Sequence, residues 1–243
     1  MSNIIRFSLD ELGVITKYLH DKEDADNPTT VLIGGWAVDS YNPWFGSIDI
    51  DLITNSSTRT SLSFHLRKNH DFVPYRLAGI PSSVKKDTES GALIIDFASR
   101  QNPFPFERRD ESLDFSILDG NTETRLIRES IEMPVPNRAT LLILKLKAIW
   151  DRQYRIEQHT SDNIDWEKGK LIKDYADVLA LIDPNYGGNQ IEISALGKLL
   201  AMYPFLEKSL ISVYGSDDEV AKYGRMSQDD AKLTIDQIIS LSH

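Results

Sequence analysis

Five consecutive residues, Ile48-Asp49-Ile50-Asp51-Leu52, alternate apolar and acidic side chains. A period of two belongs to a β-strand, whose successive side chains point to opposite faces. The apolar set then faces a core, and Asp49 and Asp51 share the other face with Cα atoms about 6.5–7 Å apart. Upstream, Thr30 to Ile33 is a short apolar run that ends in two adjacent glycines, Gly34-Gly35, separated from Asp49 by thirteen residues. A glycine pair permits positive φ and close backbone approach of a ligand. At a strand-to-helix turn its N–H groups suit a phosphate.

Around this segment the first half of the chain reads as mixed α and β. Ser8-Leu9-Asp10-Glu11 has the form of a capping box. Leu12, Ile15 and Leu19 continue one helical face from it. Trp36 to Tyr41 reads as one or two helical turns, and Asn42 to Gly46 as a loop. A strand is expected over Ile48 to Thr54, a helix over Ser56 to Asn69, and a strand over Phe72 to Leu77. The run Ala92 to Ala98, ALIIDFA, is a strong strand with Asp96 inside it. Residues 100–112 read as loop, and Leu113 to Leu118 and Ile131 to Val135 as weaker strands.

After Pro136 the pattern becomes helical. Arg138 to Glu157 and Trp166 to Asp183 form two long helices, the second stopped by Pro184. Ser194 to Met202, Phe205 to Val213 and Met226 to Ser242 follow, the last opening on the cap Ser227-Gln228-Asp229-Asp230. The expected fold class is α+β: a mixed sheet with flanking helices over 1–136, then an all-α helical bundle over 137–243.

Among the 243 residues, 41% are hydrophobic and 26% charged, ordinary for a globular protein, with a net charge of −10. That charge disfavours broad phosphate binding and leaves room for a local basic patch, for which Arg138, Lys145, Lys147, Arg152 and Arg155 are available. Absence of cysteine removes disulfides and thiolate metal sites. No signal-peptide core or membrane-length apolar run is present. The expectation is a soluble cytoplasmic protein with no membrane partner.

D-x-D alone also fits a solvent-facing strand edge. Asp96 changes the weight: if its strand neighbours that of Asp51, three carboxylates meet on one patch. Such charges repel unless protons, cations or metal ions compensate. An all-oxygen donor set suits Mg²⁺. Ser47 adds a hydroxyl beside the motif.

Gly34-Gly35, the spacing to Asp49-Ile50-Asp51, and the distant Asp96 resemble the nucleotidyltransferase superfamily of the DNA polymerase beta type. The resemblance implies that Gly34, Gly35 and Ser47 hold the triphosphate of an NTP. It implies that Asp49, Asp51 and Asp96 bind two Mg²⁺ ions. In the second half, Lys145-Leu146-Lys147-Ala148-Ile149 with Arg152, and Lys173-Asp174-Tyr175-Ala176-Asp177-Val178, resemble the abortive-infection toxins of type IV toxin–antitoxin systems. The motifs span about residues 31–182, and the last sixty residues match nothing. A toxin implies an antitoxin partner and an acceptor such as tRNA or protein, with a small molecule also open. One departure is Phe45, which stands where that family often has an arginine. Its presence keeps open a second reading, a non-catalytic nucleotide-binding or interaction module.

Helical spacing separates the charges of the second half. Lys147 has Asp151 at i+4 and Asp177 has Lys173 at i−4, which makes these ordinary solvated pairs. Lys145 lies among Leu141, Leu142, Ala148 and Ile149, and Asp174 among Leu171, Tyr175, Val178 and Ile182. Charges on apolar stripes need partners elsewhere. Lys145 and Asp174 therefore form either an interhelix salt bridge or part of the catalytic site, or both. The five histidines show no metal-ligand spacing, and His65 and His70 would not share a helical face. Trp44, Phe45, Phe104 and Phe106 are core plugs or base-stacking rings.

Overall fold

A computed structural model of the chain describes residues 2–24, 27–75, 83–100, 111–128, 130–215 and 217–242. They fall in two compact units, one within 1–104 and 114–136, the other within 105–113 and 137–243.

In the first unit, helix α1 spans Asn3–His20 and buries Ile4, Ile5, Leu12, Ile15 and Leu19. It begins at the cap Ser2, six residues before the expected cap Ser8. Ser8 is therefore inside the helix, where its buried hydroxyl accepts a 2.9 Å hydrogen bond from Trp36 Nε1. A serine chosen as a cap by its sequence neighbours serves a tertiary contact instead.

Strand β1 (Val31–Ile33) leads directly into helix α2 (Gly34–Tyr41). Strand β2 (Ile50–Thr54), helix α3 (Ser56–Asn69) and strands β3 (Val73–Tyr75), β4 (Ser83–Thr88) and β5 (Gly91–Ser99) follow. The sheet order is β1-β2-β5-β4-β3, with β2 and β5 parallel and the other pairs antiparallel. Ile50, Leu52, Leu93, Ile95 and Phe97 supply the buried core of its central strands. Each such side chain contributes about 1.5–3 kcal/mol on burial. Asn55 caps α3 by accepting from Thr58 N at 2.8 Å. The expected strand over Leu113 to Leu118 is instead a 3-10 turn at Phe115–Leu118, capped by Asp114. A hairpin closes the unit, β6 (Thr122–Ile127) with β7 (Ile131–Pro136). The expected loop over 100–112 lies almost wholly outside the described residues, as does the end of the expected strand Phe72 to Leu77.

The second unit is helical. Helix α4 covers Arg138–Glu157, capped by Asn137, whose side chain accepts from Thr140 N at 2.9 Å. Helix α5 covers Ile164–Ile182 and packs on α4. Helices α6 (Ile193–Met202), α7 (Phe205–Ser212), α8 (Asp217–Tyr223) and α9 (Gln228–Ser242) complete it. The cap at Ser227 forms as expected, its Oγ accepting from Asp230 N at 3.1 Å. No helix among the described residues is long and apolar enough to cross a membrane.

Candidate active site

The sheet places the acidic residues by register. Asp51 on β2 stands directly opposite Asp96 on β5, and Asp96 directly opposite Ser83 on β4. On the other side Asp51 pairs with Ile33, the last residue of β1. Directly opposed residues share a face. Ile33, Asp51, Asp96 and Ser83 therefore form one row across four strands. Asp51 and Asp96 are half-buried and Ser83 is buried. The Ser83 hydroxyl donates a short hydrogen bond to Asp96 Oδ1.

Asp49 stands just before this row. Pairing of β2 begins at Ile50, so Ile48 and Asp49 form a bend and not the expected start of the strand. The reason is local: β1 pairs only with residues 51–53, and Gly46 has turned the chain through φ +83°. Asp49 is half-buried and Ser47 buried, 9% exposed.

Gly34 meets the row from the end of β1. Its φ is +69°, a left-handed backbone that suits glycine. A Cβ built on it would lie 2.0 Å from Asp51 Oδ2. Only a residue without a side chain fits between the β1–α2 turn and the Asp51 carboxylate. Gly34 and Gly35 are the first two residues of α2, where backbone N–H groups lack partners within the helix.

The donor chemistry of the row suits a hard cation: carboxylate oxygens on adjacent strands and no nitrogen or sulfur ligand. Among the described residues no three His, Cys, Asp or Glu side chains are grouped closely enough to hold a metal ion as they stand. The backbone brings Asp51 and Asp96 together, and Asp49 remains on the adjoining bend.

Lys145 and Asp174 lie in the helical unit and do pair, Nζ to Oδ1 at 3.0 Å. The interhelix salt bridge expected as one alternative is thus present. A shorter contact, 2.6 Å, runs from Lys145 to Asp177 Oδ2. Asp177 is fully buried and also accepts from Lys173, with both contacts at 2.7 Å. Arg152 donates to Asp174 Oδ2 at 2.7 Å and to Glu167 Oε2 at 2.6 Å, and Arg155 to Glu167 Oε1 at 2.9 Å.

Burial favours neutral forms here, but opposite charges outweigh it at Lys145, Asp174 and Arg152, the last raised by Asp174 and Glu167. The Asp177 and Asp174 carboxylates hold the Lys145 pKa above its ordinary value. Lys145 and Arg152 hold Asp174 well below the usual carboxylate range. At Lys173 burial prevails over Asp177 and lowers the pKa, and Lys147 is lowered by burial in the same way.

Two expectations fail in this network. Lys147, Asp151 and Asp177 are buried, not solvated; Asp177 is covered because α4 and α5 face each other where the i,i+4 rule assumed water. The basic patch is also spent on internal partners. Lys145, Lys147, Arg152 and Arg155 pair with carboxylates, and Arg138 donates to the carbonyls of Leu181 and Tyr186.

His70 caps α3 rather than continuing it, so its ring reaches His65, with centroids 5.1 Å apart. His65 also stacks on Tyr18, and its pKa is lowered by burial and by His70. These rings line a cleft of about 310 Å³ with Val14, Lys17 and Asp21. Trp44 and Phe45 pack on one another at 5.2 Å, while Phe104 and Phe106 lie outside the described residues.

The model of the nucleotidyltransferase AbiEii toxins, from type IV toxin–antitoxin systems, matches residues 24–221. The chain belongs to the AbiEii family. As an AbiEii-family protein it is an enzyme that transfers nucleotidyl groups, and its family is one of toxins. Membership brings a nucleotide substrate and the setting of a toxin–antitoxin pair. The match takes in both the glycine–carboxylate row and the α4–α5 pair. It also runs well past residue 182, so much of the C-terminal part that carries no motif legible by eye belongs to the family as well. Helix α1 and helix α9 lie outside it. A search of curated proteins returns no match.

Proposed function

We propose that this AbiEii-family protein transfers a nucleoside monophosphate from an NTP to an acceptor hydroxyl, with Mg²⁺, at the Asp51–Asp96 row. The observation that supports this best is the Gly34–Asp51 juxtaposition, which puts a helix N-terminus and a carboxylate row at one point. Asp49, Asp51 and Asp96 would hold two Mg²⁺ ions, which when bound stabilise charge on the attacking and leaving oxygens.

The acceptor oxygen attacks the α-phosphorus, the bond to the bridging oxygen breaks, and pyrophosphate leaves. Asp96 takes the acceptor proton. Gly34 and Gly35 N–H groups and the Ser47 hydroxyl hold the β- and γ-phosphates. By the family resemblance Lys145 would neutralise phosphate charge, and within the helical unit its Nζ is held by Asp174 and Asp177. Asp174 orients Lys145.

The internal pairing of the α4 and α5 cations, with a net charge of −10, favours an acceptor bound through few phosphates. A protein hydroxyl or the 3′ end of an RNA meets that requirement better than a long duplex. The test is to incubate the protein with each labelled NTP, Mg²⁺ and cell extract, then treat with ribonuclease or protease. Label removed by one treatment identifies the acceptor class. Growth arrest on expression, relieved by Asp49→Ala, tests the link between toxicity and transfer.

A further inference from the structure

Arg128 ends the β6 side of the hairpin turn with φ +47°, a left-handed backbone that an L side chain enters only against steric resistance. Such strain persists where surrounding contacts enforce it. The contact here is with Asp39 on α2: Nε donates to Oδ2 at 2.5 Å and Nη2 to Oδ1 at 2.7 Å. The Asp39 side chain has no exposed surface. A two-point fork fixes orientation as well as distance.

The same hairpin holds the C-terminal end of α2. Arg125 Nε donates to the Ser40 carbonyl at 3.2 Å, and its guanidinium lies 4.1 Å from the Tyr41 ring centre. The Tyr41 hydroxyl lies 2.8 Å from the Pro136 carbonyl and 2.9 Å from Glu123 Oε1. Helix α2 has only eight residues. A helix so short is not stable alone, and packing decides where it sits. At its other end stand Gly34 and Gly35, with Asp51 in the space a Gly34 side chain would need.

We propose that Arg128 is a positioning residue for nucleotide binding. By fixing Asp39, it fixes the placement of α2, and so the placement of the Gly34-Gly35 backbone against Asp51. Arg128 acts through the helix and not on the substrate. The inference rests on the reading of Gly34-Gly35 as the triphosphate site.

The test uses the full chain with Arg128→Ala, Arg128→Lys, the pair Asp39→Asn with Arg128→Gln, and Gly34→Ala as reference. The readouts are dissociation constants for ATP, GTP, CTP and UTP with Mg²⁺, and hydrogen exchange of the α2 amides. Arg128→Ala is expected to weaken the best-bound NTP at least tenfold and to speed exchange across α2. Arg128→Lys restores part of the affinity, and the doubly neutral pair binds as poorly as Arg128→Ala. Should Arg128→Ala fail to fold, the lysine variant and the neutral pair, which removes both charges of the fork, carry the same comparison.

Wild-type affinity in the lysine variant and the neutral pair, with binding lost in Gly34→Ala, overturns the proposal while leaving the site reading intact. Undiminished binding by Gly34→Ala overturns the site reading and this proposal with it.

Discussion

Gly34 and Asp51 occupy complementary space: the position of the side chain Gly34 lacks is 2.0 Å from an oxygen of the Asp51 carboxylate. Gly34→Ala must move that carboxylate or the β1–α2 turn. The positive φ alone costs an L residue about 1–2 kcal/mol. The expected outcome is a folded protein, less stable by at least that amount in denaturant titration, with transfer reduced a hundredfold or more.

Ser83 acts on the other side of the row. Its hydroxyl donates to Asp96, and no sequence motif marks it. Hydrogen bonds to charged groups contribute about 1.5–3 kcal/mol. Ser83→Ala is expected to lower stability by an amount in that range and transfer about tenfold. Ser83→Thr, which keeps the hydroxyl on a strand-favouring residue, should retain most activity. Equal loss in both variants would show that the hydroxyl is not what matters.

Asp177 was expected to be a solvated charge and is instead the buried partner of both Lys145 and Lys173. Removing one member of a buried ion pair costs about 3–5 kcal/mol because a charge is left without its partner. Asp177→Ala should therefore destabilise the protein by that amount in urea titration. Lys147→Met with Asp151→Leu, which removes a buried pair together, should cost far less.

The network also sets an acid limit. Asp174 is held below the usual carboxylate range by Lys145 and Arg152 against the effect of its own burial. A depressed folded-state pKa contributes stability above the unfolded value, about 4, and loses it as pH falls below that. Stability measured from pH 7 to pH 3 should drop more steeply in wild type than in Asp174→Asn.

Much of this was legible in the sequence for physical reasons. The bounds of α3 and α4 follow from their caps and apolar spacing, and β5 from an apolar run too short for a helix. The facing of Asp51 and Asp96 was conditional on two strands being neighbours, which pattern alone does not decide. Strand β4, SVKKDT, reads as polar because its lysines are satisfied in tertiary contacts: Lys86 reaches Glu11 at 2.7 Å. Strand β6, TETRLI, is mostly exposed, and Arg125 and Glu123 serve Tyr41 on a distant helix. Local charge spacing found Lys173–Asp177 and Lys147–Asp151. It could not find Lys145–Asp177, since it has no access to which helix faces which.

Transfer at the aspartate row can be measured directly. Wild type, Asp49→Ala and Asp51→Ala are incubated with α-labelled NTP, Mg²⁺ and cell extract, and labelled acceptor and released pyrophosphate are measured together. Both products are expected from wild type and neither from the two folded variants. Undiminished labelling and pyrophosphate release by Asp51→Ala would contradict transfer at this row.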